Sequence, residues 1–110
     1  MTSVYRSAYV FVQNRFAGIL SEYEEGYRFT YDEAYASDTH ACAVSLTLPV
    51  RGEPYRSRTL FAFFDGLIPE GWLLEAAIRN WKLDRRDRFG LLLAVCLDAV
   101  GDVSIRKEKP

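Results

Sequence analysis

Apolar and polar residues alternate with a period of about two in the front half of this chain and with helical spacing in the back half. Residues 5–12 are rich in Tyr, Val and Phe, which suit a pleated surface, and predict a first strand. Gln13-Asn14-Arg15 comes next as a hairpin turn, with Asn14 able to take a left-handed conformation. Residues 16–23 form the returning strand, in which Gly18 marks a bulge or a close approach. Glu24-Glu25-Gly26 makes a second turn. Tyr27, Phe29 and Tyr31 then alternate with Arg28 and Thr30 as a half-buried third strand. Residues 32–40 are small and polar, with room for one helical turn. Residues 43–48 predict a fourth strand, ended by Pro49, and 51–58 a loop.

Beyond this point the spacing changes. Ser57 or Thr59 is placed to cap a short helix running to about Phe64. Trp72, Leu73, Ala76, Ala77, Asn80 and Trp81 recur at helical spacing and predict a helix over 72–82. Asp84 or Asp87 can cap a third helix over 89–97, with Asp98 beyond it. Gly101 then permits a last strand at 103–106, and the polar end, Lys107 to Pro110, should fray. The predicted fold class is α+β: a small, mainly antiparallel sheet, a meander of about four to five strands, with about three short helices packed on one side.

Composition narrows the possibilities. At 110 residues the chain, 1–110, reads as a single domain. Hydrophobic residues make up 49% and charged residues 26%, which excludes a disordered chain. A net charge of −1 argues against a strongly electrostatic nucleic-acid binder acting alone. Cys42 and Cys96 lack CxxC spacing and read as reduced, buried thiols of a cytoplasmic protein. Residues 1–13 contain Arg6 where a secretory signal needs an apolar core, and no apolar run approaches the ~20 residues that span a bilayer.

Residues 63–72 punctuate the back half. Phe63-Phe64-Asp65-Gly66-Leu67-Ile68-Pro69-Glu70-Gly71-Trp72 reads as a helix end, a tight turn and a new helix start. Gly66 supplies a positive φ, and Pro69 suits the first helical position. Asp65 is placed to cap backbone amides, and Glu70 to sit in the first turn of its helix. This stretch resembles the signature of the small N-terminal subdomain of HipA-type serine/threonine kinases. So do, in order and spacing, Leu83-Asp84-Arg85-Arg86-Asp87-Arg88-Phe89-Gly90-Leu91-Leu92 and Asp98-Ala99-Val100-Gly101-Asp102-Val103. Ser45-Leu46-Thr47-Leu48-Pro49-Val50 and Pro54-Tyr55 fit as well. The resemblance covers nearly the whole chain and implies the same α+β fold.

Catalytic machinery is not expected within these residues. Phosphoryl transfer needs a phosphate-cradling loop, a lysine and metal-binding carboxylates, and neither GxGxxG nor GxxxxGK[ST] is present. Phe64-Asp65-Gly66 has the wrong order for the kinase Asp-Phe-Gly motif. His40 is the one histidine; beside Cys42 it lacks the further ligands of a metal site. No cofactor, no metal and no catalytic residue is therefore expected. The mixed-sign run from Asp84 to Arg88 reads as a solvated loop and helix start.

What the resemblance implies is a role in binding. Because the chain stops where the kinase body would begin, it is similar to the HipS proteins of HipB–HipS–HipT toxin–antitoxin systems. The expectation is a non-enzymatic, cytoplasmic antitoxin that binds and inhibits a HipT-like serine/threonine kinase. It would sit in a complex with a HipB-like helix-turn-helix protein, meeting DNA only indirectly and no membrane. The alternative is an N-terminal subdomain cut from a full-length HipA-like kinase. Trp72 and Trp81, nine positions apart, point about 180° apart on a helix at ~100° per residue, so both cannot face one core. Trp72 is the expected anchor, presented by Phe64, Asp65, Gly66, Leu67, Pro69, Glu70 and Gly71.

Overall fold

The computed structural model describes residues 4–95 and 103–110. Strands β1 (Val4–Val12), β2 (Arg15–Tyr23) and β3 (Gly26–Tyr31) form the expected meander. Helix α1 (Glu33–Ala36), strand β4 (Tyr55–Ser57), helices α2 (Ala62–Asp65), α3 (Gly71–Trp81) and α4 (Arg88–Val95), and strand β5 (Val103–Arg106) come after it. The strands make one open antiparallel sheet in the order β4-β3-β2-β1-β5. The α+β class and the meander stand as expected. The expected positions of Cys96, Leu97, Asp98 and Gly101 fall outside the described residues.

Local chemistry sets the first hairpin. Gln13 (φ 51°) and Asn14 (φ 66°) both take left-handed conformations between the paired Val12 and Arg15. Two positive φ values match the right-handed twist of the flanking strands. Gly18 does what its position suggested. Val10 pairs with Gly18 but Phe11 with Phe16, so Ala17 is the extra residue of a bulge. A Cβ at Gly18 would lie 2.5 Å from the Thr30 carbonyl oxygen, so β3 can approach only a glycine there.

The period-two pattern separates the two faces of the sheet. Ala8, Val10, Leu20, Phe29, Tyr31 and Ile105 are buried on one face, in one core with Phe64, Phe89, Leu91 and Leu92 of the helical layer. Phe29 and Phe64 meet with ring centroids 5.4 Å apart. The other face carries a smaller aromatic cluster in which Phe11 lies between Phe16 (5.7 Å) and the Arg106 guanidinium (4.2 Å).

Two expectations about the middle of the chain are overturned. Residues 43–48 are not a strand but a tight turn, closed by the Leu48 N–H donating to the Ser45 carbonyl at 3.1 Å, with a lone bridge between the two. The strand pattern misleads because tyrosine hydroxyls, not a neighbouring strand, satisfy this backbone. The Tyr31 hydroxyl accepts from the Val44 N–H (3.0 Å) and donates to the Leu48 carbonyl. The Tyr35 hydroxyl accepts from the Cys42 N–H (3.0 Å) and donates to the Cys42 carbonyl (2.7 Å). The two rings stack at 6.2 Å. Strand β4 lies instead within 51–58, expected to be loop, where Tyr55 pairs with Phe29.

Capping explains the helices unevenly. Asp32 caps α1 through the Tyr35 N–H. Asp87 caps α4, its Oδ1 accepting from the Gly90 N–H at 3.0 Å, as expected. Neither Ser57 nor Thr59 caps α2: its N-cap is Phe61, whose aromatic side chain offers no acceptor.

Replacing Tyr31 by Phe removes one hydroxyl but orphans two backbone groups. The variant is expected to lose about 1–3 kcal/mol in urea unfolding, by the desolvation cost of unpaired buried groups. Tyr35→Phe should lose less, because its hydroxyl serves the backbone of the exposed Cys42, where water can replace it; wild-type stability of Tyr31→Phe would refute the assignment.

Candidate functional site

The turn expected to present Trp72 exists, but it is built differently. Gly66 ends α2 with φ −68°, an ordinary right-handed value, so its positive φ is not needed. The positive φ belongs to Gly71 (64°), the first residue of α3. Pro69 therefore lies two residues before the helix rather than at its first position, and Glu70 is the N-cap, without a capping side-chain bond.

Asp65 is not a cap either. Its Oδ1 accepts from Arg88 Nε at 2.6 Å, tying α2 to α4. Sequence spacing concealed this pairing, because the partners lie 23 positions apart. Three members of the mixed-sign run thus serve the fold: Asp87 caps α4, Arg88 holds Asp65, and Arg85 forms a bidentate ion pair with Glu75 on α3. Phe64 is buried in the core, and Leu67 packs half-buried against it. Of the eight expected partner-binding residues, Phe64 thus lies in the core, Asp65 pairs with Arg88, and Gly66 to Glu70 link α2 to α3, which begins with Gly71 and Trp72.

Little of α3 itself is covered. Leu74 is 9% exposed and Ile78 packs against the core one turn later. These i and i+4 positions fix the buried side of α3. Trp72, two residues before Leu74, points about 200° away from it. It is 80% exposed, Leu73 is 51% exposed and Trp81, at the last helical position, is 58% exposed. The opposition of the two tryptophans suggested that one would be taken into the core, yet both lie at the surface. Lys82 in a left-handed conformation (φ 53°) closes the helix, with the Leu83 N–H donating to the Ile78 carbonyl at 3.1 Å. Three large apolar side chains on eleven residues make α3 the most apolar exposed helix among the described residues.

The base that holds this layer was not foreseen. Arg6, on β1, donates Nε (2.7 Å) and Nη2 (2.9 Å) to Glu22 on β2. The same guanidinium donates Nη1 (2.8 Å) and Nη2 (2.7 Å) to Asp87, the N-cap of α4. It lies 5.2 Å over the Phe89 ring, which stacks on Tyr27 at 5.9 Å. The hydrogen bonds from Arg6, with the Gly90 N–H, hold the Asp87 carboxyl below its ordinary range despite partial burial. The bonds to Asp87 and Glu22 raise Arg6 further above its own. The signal in sequence was a lone arginine at an inward-facing position of an apolar strand.

Cys42 is exposed, which corrects the expectation of burial, and so is His40. Among the described residues no cluster of His, Cys, Asp or Glu could hold a metal ion, and no helix is long and apolar enough to cross a membrane.

The chain matches the family model of the HipA N-terminal domain over residues 8–106. A solved structure described as the N-terminal domain of HipA toxin superposes with a TM-score of 0.71 at 32% identity, covering 99% of this chain and 98% of that one. An uncharacterised protein of Haemophilus influenzae is 35% identical over 109 residues, 99% of each chain. A putative kinase of Sinorhizobium fredii, Y4mE, is 43% identical over 42 residues, which are 10% of its length.

Asp87 makes the acid limb of stability testable. Its folded-state pKa is lowered, so its contribution is present above about pH 4 and is lost as pH falls through the folded value. Asp87→Asn is expected to cost about 1 kcal/mol at pH 7, a figure reduced for partial exposure, and to flatten unfolding free energy as pH falls below about 4. An unchanged acid limb in urea titrations would contradict this coupling.

Proposed function

The chain belongs to the HipA N-terminal domain family, and from that premise we propose that it is a non-catalytic antitoxin. Its target is the body of a HipA-type serine/threonine kinase, of the HipT kind, present as a separate chain. The observation that carries this reading is the uncovered apolar side of α3, where Trp72 (80% exposed) stands beside the half-exposed Leu73 in the first turn of the helix. Tryptophan with an adjoining aliphatic is the chemistry of an interface anchor. The Haemophilus influenzae relative, matched over 99% of its own length, is itself little more than this domain, which supports a free-standing role. Docked over the kinase's N-terminal lobe, the α3 face would bury Trp72 beside the nucleotide cleft and hold the lobe unproductive. A HipB-like helix-turn-helix protein completes the cytoplasmic complex, so that DNA is met only through it.

One observation favours a second reading. The matched segment of Y4mE belongs to a much longer putative kinase, as it would if the domain were a structural front piece of such an enzyme. Co-expression separates the two. An antitoxin rescues growth of cells making the kinase body and co-purifies with it. A structural front piece binds the body without relieving toxicity.

Trp72→Ala is the decisive variant. With 80% of the residue already exposed, it should alter folding stability by no more than about 0.5 kcal/mol. It should weaken kinase binding by about 2–4 kcal/mol and abolish rescue. A well-folded Trp72→Ala protein that binds and rescues like wild type would exclude α3 as the docking face.

A further inference from the structure

A cleft of about 420 Å³ opens at the β4 edge of the sheet, lined by Tyr23, Glu25, Tyr27 and three arginines, Arg28, Arg56 and Arg58, together with Gly26 and Ser57. We propose that this cleft binds a phosphorylated serine or threonine side chain of an extended peptide. The site is separate from α3, and the proposal does not rest on the antitoxin reading.

Charge placement comes first. Arg28 and Arg56 are direct cross-strand partners. Like charges placed opposite one another on a sheet repel and destabilise it. None of the three arginines forms an ion pair with a described acidic residue. Elsewhere Arg6, Arg15, Arg85 and Arg88 all hold carboxylates. Arg51, Arg79, Arg86 and Arg106 also lack an ion pair among the described residues, but Arg28, Arg56 and Arg58 crowd into one cleft whose lining has Glu25 as its acidic residue. A bound dianion supplies the missing charge.

Geometry comes second. Arg28 lies 4.6 Å over the Tyr23 ring, which orients its planar fork. Its buried Nε has no hydrogen-bond partner among the described groups. An acceptor carried in by a ligand, after a small turn of the guanidinium, relieves that deficit. Guanidinium forks match phosphate oxygens two at a time. Gly26 permits the arrangement: a Cβ there would stand 2.3 Å from the Ser57 carbonyl oxygen, so only glycine lets the 24–26 turn close on β4.

Peptide is favoured over nucleic acid by extent and position. A nucleic-acid backbone needs a track of cations, whereas the adjoining surface carries Glu22, Asp65 and Asp87 as well as arginines, and the chain is acidic overall. β4 is also an edge strand, which offers main-chain groups to an extended peptide.

Titration calorimetry of the full chain in low salt tests this with four probes: a phosphoserine peptide, its unphosphorylated form, inorganic phosphate and a single-stranded oligonucleotide. The phosphopeptide is expected to bind at least tenfold more tightly than each of the others. Arg56→Gln and Arg58→Gln, both at exposed positions, should each weaken it about tenfold. Without ligand, Arg56→Gln should melt no lower than wild type, because a repulsion is removed. Equal affinity for both peptides, no effect of either substitution, binding of inorganic phosphate alone, or tighter binding of the oligonucleotide would each overturn the proposal.

Discussion

One guanidinium joins the two layers of this domain. Arg6 stands on the inward face of β1, an apolar strand, and bonds Glu22 within the sheet and Asp87 across the layer boundary, 81 positions away. A lone exposed ion pair contributes little. This one is a partly buried network with two bidentate arms and an aromatic floor, a geometry in which charged hydrogen bonds are at their strongest. Asp87 uses one carboxylate both to bind Arg6 and to cap α4. The position of α4 therefore depends on the sheet through Arg6. Arg88 passes that position to Asp65 on α2, and the turn from Gly66 to Glu70 passes it to α3. The apolar face of α3 is aimed by a chain of contacts that begins on the first strand.

How much of this could be read from the sequence depended on how local each cause was. The meander was legible because its signals are local: alternation in 27–31, the left-handed Asn14, the close approach at Gly18. The turn at 43–48 and the strand at 55–57 were exchanged because their causes are remote. Tyr31 and Tyr35 satisfy a backbone up to 17 residues away, and a pattern of apolar residues carries no trace of a hydroxyl's partner. Asp65 and Gly66 looked like turn residues for the same reason. Asp65 answers to Arg88, and Gly66 occupies a conformation open to any residue.

The candidate surface was half legible. Nine-residue spacing showed that two tryptophans cannot share one core, but it did not show that the core would take neither. That outcome comes from Leu74 and Ile78, which claim the buried side of a helix touching the body along a narrow strip. A helix so lightly covered is a poor source of stability and a good docking surface. The cationic cleft at β4 was not legible at all. It requires Arg28 and Arg56 to be cross-strand partners, and the strand containing Arg56 was read as loop. The domain thus presents two surfaces of different chemistry, one apolar on the helical layer and one basic at the sheet edge.

The claim that α3 is the surface that meets the kinase is tested most directly by the fluorescence of Trp72 in a Trp81→Phe background, titrated with a separately purified, tryptophan-free HipA-type kinase body. In the free domain the emission should be that of a solvated indole. A saturable blue shift on complex formation, with loss of quenching by iodide, is the result expected. A complex that forms by an independent measure while Trp72 stays solvated and fully quenchable would contradict it.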